Sequence, residues 1–307
     1  MQKFLNLEHL DRYHLTSPSS SELNWLMEQF DLHEIIEEDL VEKSTQDKVD
    51  VYDQYLFVVL HIPKYNKDRG KYVLNEFKII LWKEFIVTIA SRETAHFEKV
   101  KDWYIQQMDE LEDDEQYKLS PYYVLYKIID VMHDKVLRGL RYFGSDLRVM
   151  EEAVFDESFN TRTVADMSIK RRNVVTIKHG VLPQKEIIEE LQAEVVKKLW
   201  WTKLEVYFED LQYKIDKIMW NMSILAENID SLYDAFDAMM TTKTNTNIMM
   251  LTTFTVILWV LTLVTGFYGM NVDLPGQELA AVVYFIIWCM VFFAAGMRWW
   301  LKRKKWM

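Results

Sequence analysis

Two stretches near the C-terminus carry no charge at all, and they limit this chain more than any other feature. Between Lys243 and Asp273 there is no Asp, Glu, Lys or Arg, and Ile248 to Tyr268 is almost wholly apolar. A second uncharged run extends from Leu279 to Met297, between Glu278 and Arg298. A helix needs about 20 apolar residues to cross the hydrocarbon core of a bilayer. Both runs reach that length, and a soluble core helix seldom avoids charge on every side for so long. The sequence therefore predicts two membrane spans, 248–268 and 279–298, joined by a short loop, 269–278.

Flanking charge predicts the orientation. Arg298, Lys302, Arg303, Lys304 and Lys305 follow the second span, and Lys243 precedes the first. The connecting loop holds only Asp273 and Glu278. Because positive residues stay cytoplasmic, both termini are expected in the cytosol of a cell (inner) membrane, with an acidic loop outside. Trp299, Trp300 and Trp306 suit an interfacial aromatic belt beside the basic tail, 299–307. The same tail also fits an anionic lipid surface. The start, MQKFLNLEHLDRYHL, has no apolar run leading to a small-residue cleavage site, so no secretory signal is expected.

The whole-chain charge of −11 conceals this segregation. Residues 1–243 hold 31 basic and 45 acidic residues, a net of −14, whereas residues 244–307 hold 5 and 2, a net of +3. An acidic body argues against nucleic acid as a partner, since phosphate binding needs a basic footprint. The single cysteine, Cys289, excludes an intrachain disulfide and a zinc site built on several thiolates.

Eight glycines and five prolines are few for 307 residues, and they favour long helices. From Gln184 to Thr265 neither occurs. Such a stretch predicts one helix of roughly 120 Å running into the first span, with Gly180 and Pro183 punctuating its start. Leu211, Ile215, Ile218, Met222, Leu225, Ile229, Leu232, Phe236 and Met239 alternate steps of four and three. That is a coiled-coil seam, read here as an oligomeric stalk over 183–247.

Upstream, residues 1–182 read as a small α/β unit followed by helices. Strands are expected at Tyr55–Ile62, Val73–Trp82 and Glu84–Ile89, with a turn at Asn66–Gly70. Ser19 and Glu22 fit a capping box that opens a helix through Phe30. Thr94–Gln116, Pro121–Phe155 and Asn160–Lys178 read as helical, and the acidic run Asp109–Glu115 as a solvated face.

No enzyme is legible. The seven histidines show no pair at i, i+3 or i+4, and no nucleophile elbow, Walker A, dinucleotide or zincin motif occurs. The informative place is the end of the first span, Gly266-Phe267-Tyr268-Gly269-Met270-Asn271. Polar backbone at that depth is tolerated when it packs in protein or lines water. Reading back from Asn271 at helical spacing gives Gly266, Thr262, Trp259 or Leu258, Thr255, Leu251, Ile248, Asn245 and Thr241. This stripe suits a pore with polar waists and an apolar gate at Ile248 and Leu251 that excludes water. Helix packing in lipid uses the same small residues, and spacing alone leaves both readings open.

Tyr268-Gly269-Met270-Asn271, at the end of the first of two terminal spans and followed by a tail ending KRKKWM, resembles the CorA family of divalent-cation channels. The segment FDLHEIIEEDL (Phe30 to Leu40), the strand YLFVVL and the run from Tyr207 to Thr252 are similar to the family pattern as well. The resemblance implies a funnel-shaped homopentamer with a cytosolic α/β domain, a very long pore-lining stalk helix and an outer second span. It implies that Gly269, Met270 and Asn271 form the selective mouth, where Asn271 binds hydrated ion. It puts Thr262, Leu251, Ile248, Asn245 and Asp234 at pore-lining positions, and Asp210 at a regulatory site where cytosolic magnesium closes the channel. Trp259 departs from the family, which usually has a smaller pore residue there. The acidic partner expected near Thr94–Phe97 is not cleanly present, leaving Glu93 or Glu98 as substitutes.

Mg²⁺ dehydrates reluctantly and keeps several waters, so amide and carbonyl dipoles at Asn271 suffice without a ring of carboxylates. Passive influx driven by the membrane potential is the expected activity, with Co²⁺, Ni²⁺ or Zn²⁺ as further substrates. The alternatives are a ZntB-like zinc transporter and, from another class, a non-conducting membrane-anchored sensor or scaffold.

Overall fold

The computed structural model describes residues 2–7, 10–90, 113–155, 161–199, 202–272 and 280–303. The chain divides into two compact units, Met1–Ser231 and Leu232–Met307.

The first unit is built on a six-stranded sheet: β1 (Gln2–Leu7), β2 (Leu10–Thr16), β3 (Lys48–Val51), β4 (Leu56–Asn66), β5 (Lys71–Leu81) and β6 (Phe85–Ala90), in the order β1-β2-β6-β5-β4-β3. Only β2 and β6 are parallel. The β4–β5 hairpin pairs all eleven residues of each strand, from Leu56↔Leu81 to Asn66↔Lys71. Its turn closes through the Arg69 amide, which donates to Asn66 Oδ1 at 3.2 Å, and through Gly70 at φ +61°, a left-handed conformation that costs glycine little. The three expected strands match β4, β5 and β6.

Alternate residues of this sheet feed two cores, because successive side chains point to opposite faces. Phe57, Val59, Ile80, Val87 and Ile89 join Leu23, Leu26, Ile36 and Leu40 from α1 (Ser20–Gln29) and α2 (Glu34–Val41). The intervening Val58, Leu60, Ile62, Ile79 and Leu81 are equally buried. On the sheet's helical flank, α3 (Pro121–Phe155) packs on β4, and α4 (Thr161–Val181) packs on β4 and β5. The α4 approach depends on Gly180, where a Cβ would lie 2.4 Å from a Leu74 methyl and 3.2 Å from the His61 carbonyl oxygen.

Local chemistry sets the helix starts. Ser19 accepts from the Glu22 amide, while the Glu22 carboxylate accepts from the Ser19 amide at 2.9 Å, which completes the predicted capping box. His33 caps α2 by accepting from the Ile35 amide through Nδ1. Of the helix expected over Thr94–Gln116, residues 94–112 lie outside the described residues, and its end joins a 3-10 turn at Asp113–Leu119.

The single helix expected from Gln184 is corrected by the structure. Gln184–Leu199 forms α5 and Thr202–Tyr268 forms α6. Lys185 pairs with Asp216 at 2.8 Å, and Gln212 donates to Gln192 at 2.6 Å, so the two helices run antiparallel. Absence of Gly and Pro removes the usual helix breakers but does not forbid a reversal. Folding back lets two amphipathic faces bury each other, a gain that an isolated solvated helix forgoes.

Candidate ion pathway

The α6 helix passes from the first unit into the second, with a buried face in the first portion and a largely exposed surface in the second. In the first unit Leu204, Phe208, Leu211, Ile215, Ile218, Met222, Leu225 and Ile229 are all buried within the single chain. From Leu211 to Ile229 the heptad seam is therefore intramolecular, which corrects its reading there as a contact between copies. Its regular spacing reflects a helix packed against helices of its own chain, and such packing uses the same ridges and grooves as a coiled coil.

Beyond Leu232 the helix is largely uncovered. Of the most apolar 18-residue window of α6 only 6% is buried, and of that in α7 (Ala280–Arg303) none is. A soluble core helix of this composition is mostly buried. Apolar surface left bare over the last part of α6 and over α7 matches lipid or further protein as its surroundings. The second unit shields one stripe on each helix: Met249, Thr253, Ile257, Val260, Leu261 and Val264 on α6, and Val282, Ile286, Cys289, Met290, Ala294 and Met297 on α7.

The stripe predicted to face a pore lies on the far side of α6. Asp234, Thr241, Asn245, Ile248, Leu251, Thr255, Trp259, Thr262 and Gly266 recur at helical spacing, and all are exposed. A Cβ added at Gly266 meets nothing within 4 Å. Thr255 and Thr262 donate their hydroxyls to the carbonyls of Leu251 and Leu258, at 2.9 and 2.8 Å. With the proton committed to the backbone, each hydroxyl oxygen keeps its acceptor lone pairs.

The helix ends at the motif. The Gly269 amide donates to Thr265 O at 2.9 Å and the Met270 amide to Phe267 O at 3.4 Å, after which Asn271 stands exposed. A Cβ at Gly269 would lie 3.1 Å from Thr265 O, so a side chain there strains the closing turn. Asp273 and Glu278 lie outside the described residues, as do Lys304, Lys305 and Trp306 of the tail. At the other end of α7, Arg303 lies 5.4 Å from the Trp299 ring centroid.

Asp210 sits in the first unit and is not isolated. Tyr126 of α3 donates to Asp210 Oδ2 at 3.5 Å, and the Lys214 ammonium stands 3.9 Å away. Lys214 also pairs with Asp130 and, at 2.9 Å, with Asp134. Burial opposes the charge on Lys214, but hydrogen bonds to Asp130 and Asp134 outweigh it and hold the ammonium above the ordinary lysine range. Burial also pushes the Tyr126 phenol far up, reinforced by Asp130 and Asp210. Sequence reading missed this cluster. Its two halves, Asp130/Asp134 and Asp210/Lys214, are each visible as i, i+4 pairs, but nothing in the sequence brings them together. Among the described residues no three His, Cys, Asp or Glu side chains are placed to hold a metal ion. Glu93 and Glu98 lie outside the described residues.

These features define a membrane protein with two candidate spans, an N-terminal α/β unit and one long helix that continues into the first span. A family model described as "CorA-like Mg2+ transporter protein" matches residues 9–303, and the chain belongs to that family. The cobalt/magnesium transport protein CorA of Thermotoga maritima is 24% identical over 281 residues, covering 91% of this chain and 78% of the relative. The zinc transport protein ZntB of Yersinia enterocolitica is 21% identical over 322 residues, covering 97% and 87%. In fold, the chain is similar to the CorA magnesium transporter from Methanocaldococcus jannaschii, with a TM-score of 0.81, 16% identity and coverage of 97% and 91%.

Proposed function

We propose that this chain is one subunit of a homopentameric channel that conducts divalent cations, Mg²⁺ foremost, passively inward across the cell (inner) membrane with both termini in the cytosol. The carrying observation is the stripe on α6 that is exposed among the described residues, ending at Gly269-Met270-Asn271 in a member of a transporter family. Copies arranged about an axis turn that stripe inward. Asn271 then presents amide groups to the water shell of the arriving ion, and Gly269 lets the helix close beside it. A hydrated Mg²⁺ needs acceptors for its outer waters more than direct ligands, and the back-bonded hydroxyls of Thr255 and Thr262 supply them. Ile248 and Leu251 form the apolar gate, and Trp259 narrows the same path. The acidic loop with Asp273 and Glu278 concentrates cations outside.

Asp210 enters the proposal as the cytosolic regulatory position, where a divalent ion closes the channel in competition with Lys214 for the carboxylate. A second reading, zinc as the main substrate, is favoured by the similarity to ZntB. The stripe holds no thiolate or imidazole of the kind that selects zinc. Flux into liposomes carrying the purified chain, with Mg²⁺, Co²⁺, Ni²⁺ and Zn²⁺ supplied in turn, tests the assignment. Mg²⁺ flux exceeding Zn²⁺ flux supports the first reading, the reverse order supports the second, and no flux of any of them identifies a non-conducting scaffold.

A further inference from the structure

His61, on β4, has acceptors at both ring nitrogens: Asp47 Oδ1 lies 2.7 Å from Nδ1, and the Ser44 carbonyl oxygen lies 3.0 Å from Nε2. A neutral imidazole carries one N–H and can satisfy one of them, whereas an imidazolium donates to both. The partners belong to one short segment, residues 42–47, between α2 and β3. The His61 amide also donates to Asp47 Oδ1 at 2.7 Å, and the Ser44 amide donates to Glu76 Oε1 on β5 at 2.7 Å. At the segment's start the Lys78 ammonium donates to the Glu42 carbonyl at 2.6 Å.

We propose that His61 is a proton-operated latch that holds the strap 42–47 on the sheet when protonated and releases it when the pH rises. Removing the ring proton places a nitrogen lone pair against either a carboxylate or a carbonyl oxygen, so one attraction becomes a repulsion. The charged groups brought to the latch are Asp47 from the strap, Glu76 from the paired position on β5 and, 3.5 Å behind Glu76, Lys78. The hydrogen bond to Asp47 raises the His61 pKa above its ordinary value, burial opposes this, and Asp47 and Glu76 add to the rise. Asp47 is itself pushed up by burial. Its Oδ2 has no partner, so its one engaged oxygen depends on His61. The latch is therefore fully closed below the unfolded histidine value and opens as pH rises through the higher folded value.

The latch is also wired to the helices. Gln184 donates through Nε2 to the carbonyl oxygens of His61 (2.9 Å) and Gly180 (2.5 Å), which turns its amide oxygen toward His133 Nε2 at 2.8 Å. His133 therefore carries its proton on Nε2. It is wholly buried with Nδ1 unpartnered, and burial holds its pKa down, so it stays neutral while His61 titrates.

Hydrogen–deuterium exchange on the full wild-type chain in detergent micelles, at about pH 6 and about pH 8.5 on either side of the ordinary histidine value, reads the latch directly. After correction for intrinsic rates, protection across residues 42–47 is expected to fall at least tenfold at the higher pH, while the β4–β5 hairpin keeps its protection. In the Asp47→Asn variant the transition moves to lower pH, and in His61→Gln it disappears. Equal protection of the strap at both pH values in the wild-type chain overturns the proposal. So does a pH response that His61→Gln retains.

Discussion

The two units of this chain are stabilised by different surroundings. In the first, the sheet residues Leu56 to Leu60 and the α6 face from Leu204 to Ile229 are sealed within a single copy. In the second, Leu251 and Trp259 each keep 68% of their surface exposed, although their neighbours are just as apolar. The difference lies in what supplies the burial: the chain itself in one case and, in the proposed channel, a membrane and further copies in the other. One helix, α6, belongs to both regimes, and the change falls near Leu232, where burial within the chain gives way to exposed apolar surface.

Matched truncations on that helix sharpen the comparison most. Ile218→Ala removes a fully buried side chain from the first unit and is expected to cost about 2–5 kcal/mol. Leu251→Ala on the exposed stripe is expected to cost under about 0.5 kcal/mol in monomeric micelles, as surface changes do. Denaturant unfolding of the full chain followed by circular dichroism measures both, and equal losses would break the distinction. Next in size is Lys214→Met, which strips the ammonium from Asp130, whose side chain is 7% exposed. A loss of about 2 kcal/mol is expected in the same assay, below the range for a fully buried pair because Lys214 keeps 18% exposure and Lys127 still holds Asp130. An unchanged midpoint would show that α3 and α6 need no ionic tie. Ser19→Ala, which removes the α1 cap, is smallest at about 1 kcal/mol. Its effect should appear as faster amide exchange confined to the first turn of α1.

The two long apolar helices and the Gly269-Met270-Asn271 triplet are legible in the sequence because they are local. A bilayer demands an unbroken apolar run, and such a run is visible without any knowledge of tertiary structure. The same holds for the Ser19–Glu22 capping box, the β4–β5 hairpin and α3, whose bounds Pro121–Phe155 coincide with the expected helix. What stayed hidden was non-local. The strand pairing β2–β6 joins residues more than seventy positions apart, and β1, β2 and β3 carry too many polar residues to announce themselves. The seam from Leu211 to Ile229 was visible as a periodicity, but periodicity does not say whether its partner is another copy or the chain's own helices. The reversal between α5 and α6 left no glycine or proline behind. At the site, spacing placed Thr255, Thr262 and Asn271 on one face, while the grip of Asp130 and Asp134 on Lys214 required the fold.

In the proposed channel the exposed stripe of α6 and its terminal asparagine form the ion path. Uptake of Mg²⁺ into liposomes by Asn271→Ala, beside the wild-type chain at equal density and with oligomeric state checked by cross-linking, tests it most directly. Uptake is expected to fall to the level of empty liposomes while the assembly stays intact. Uptake at the wild-type rate by an intact Asn271→Ala assembly would contradict it.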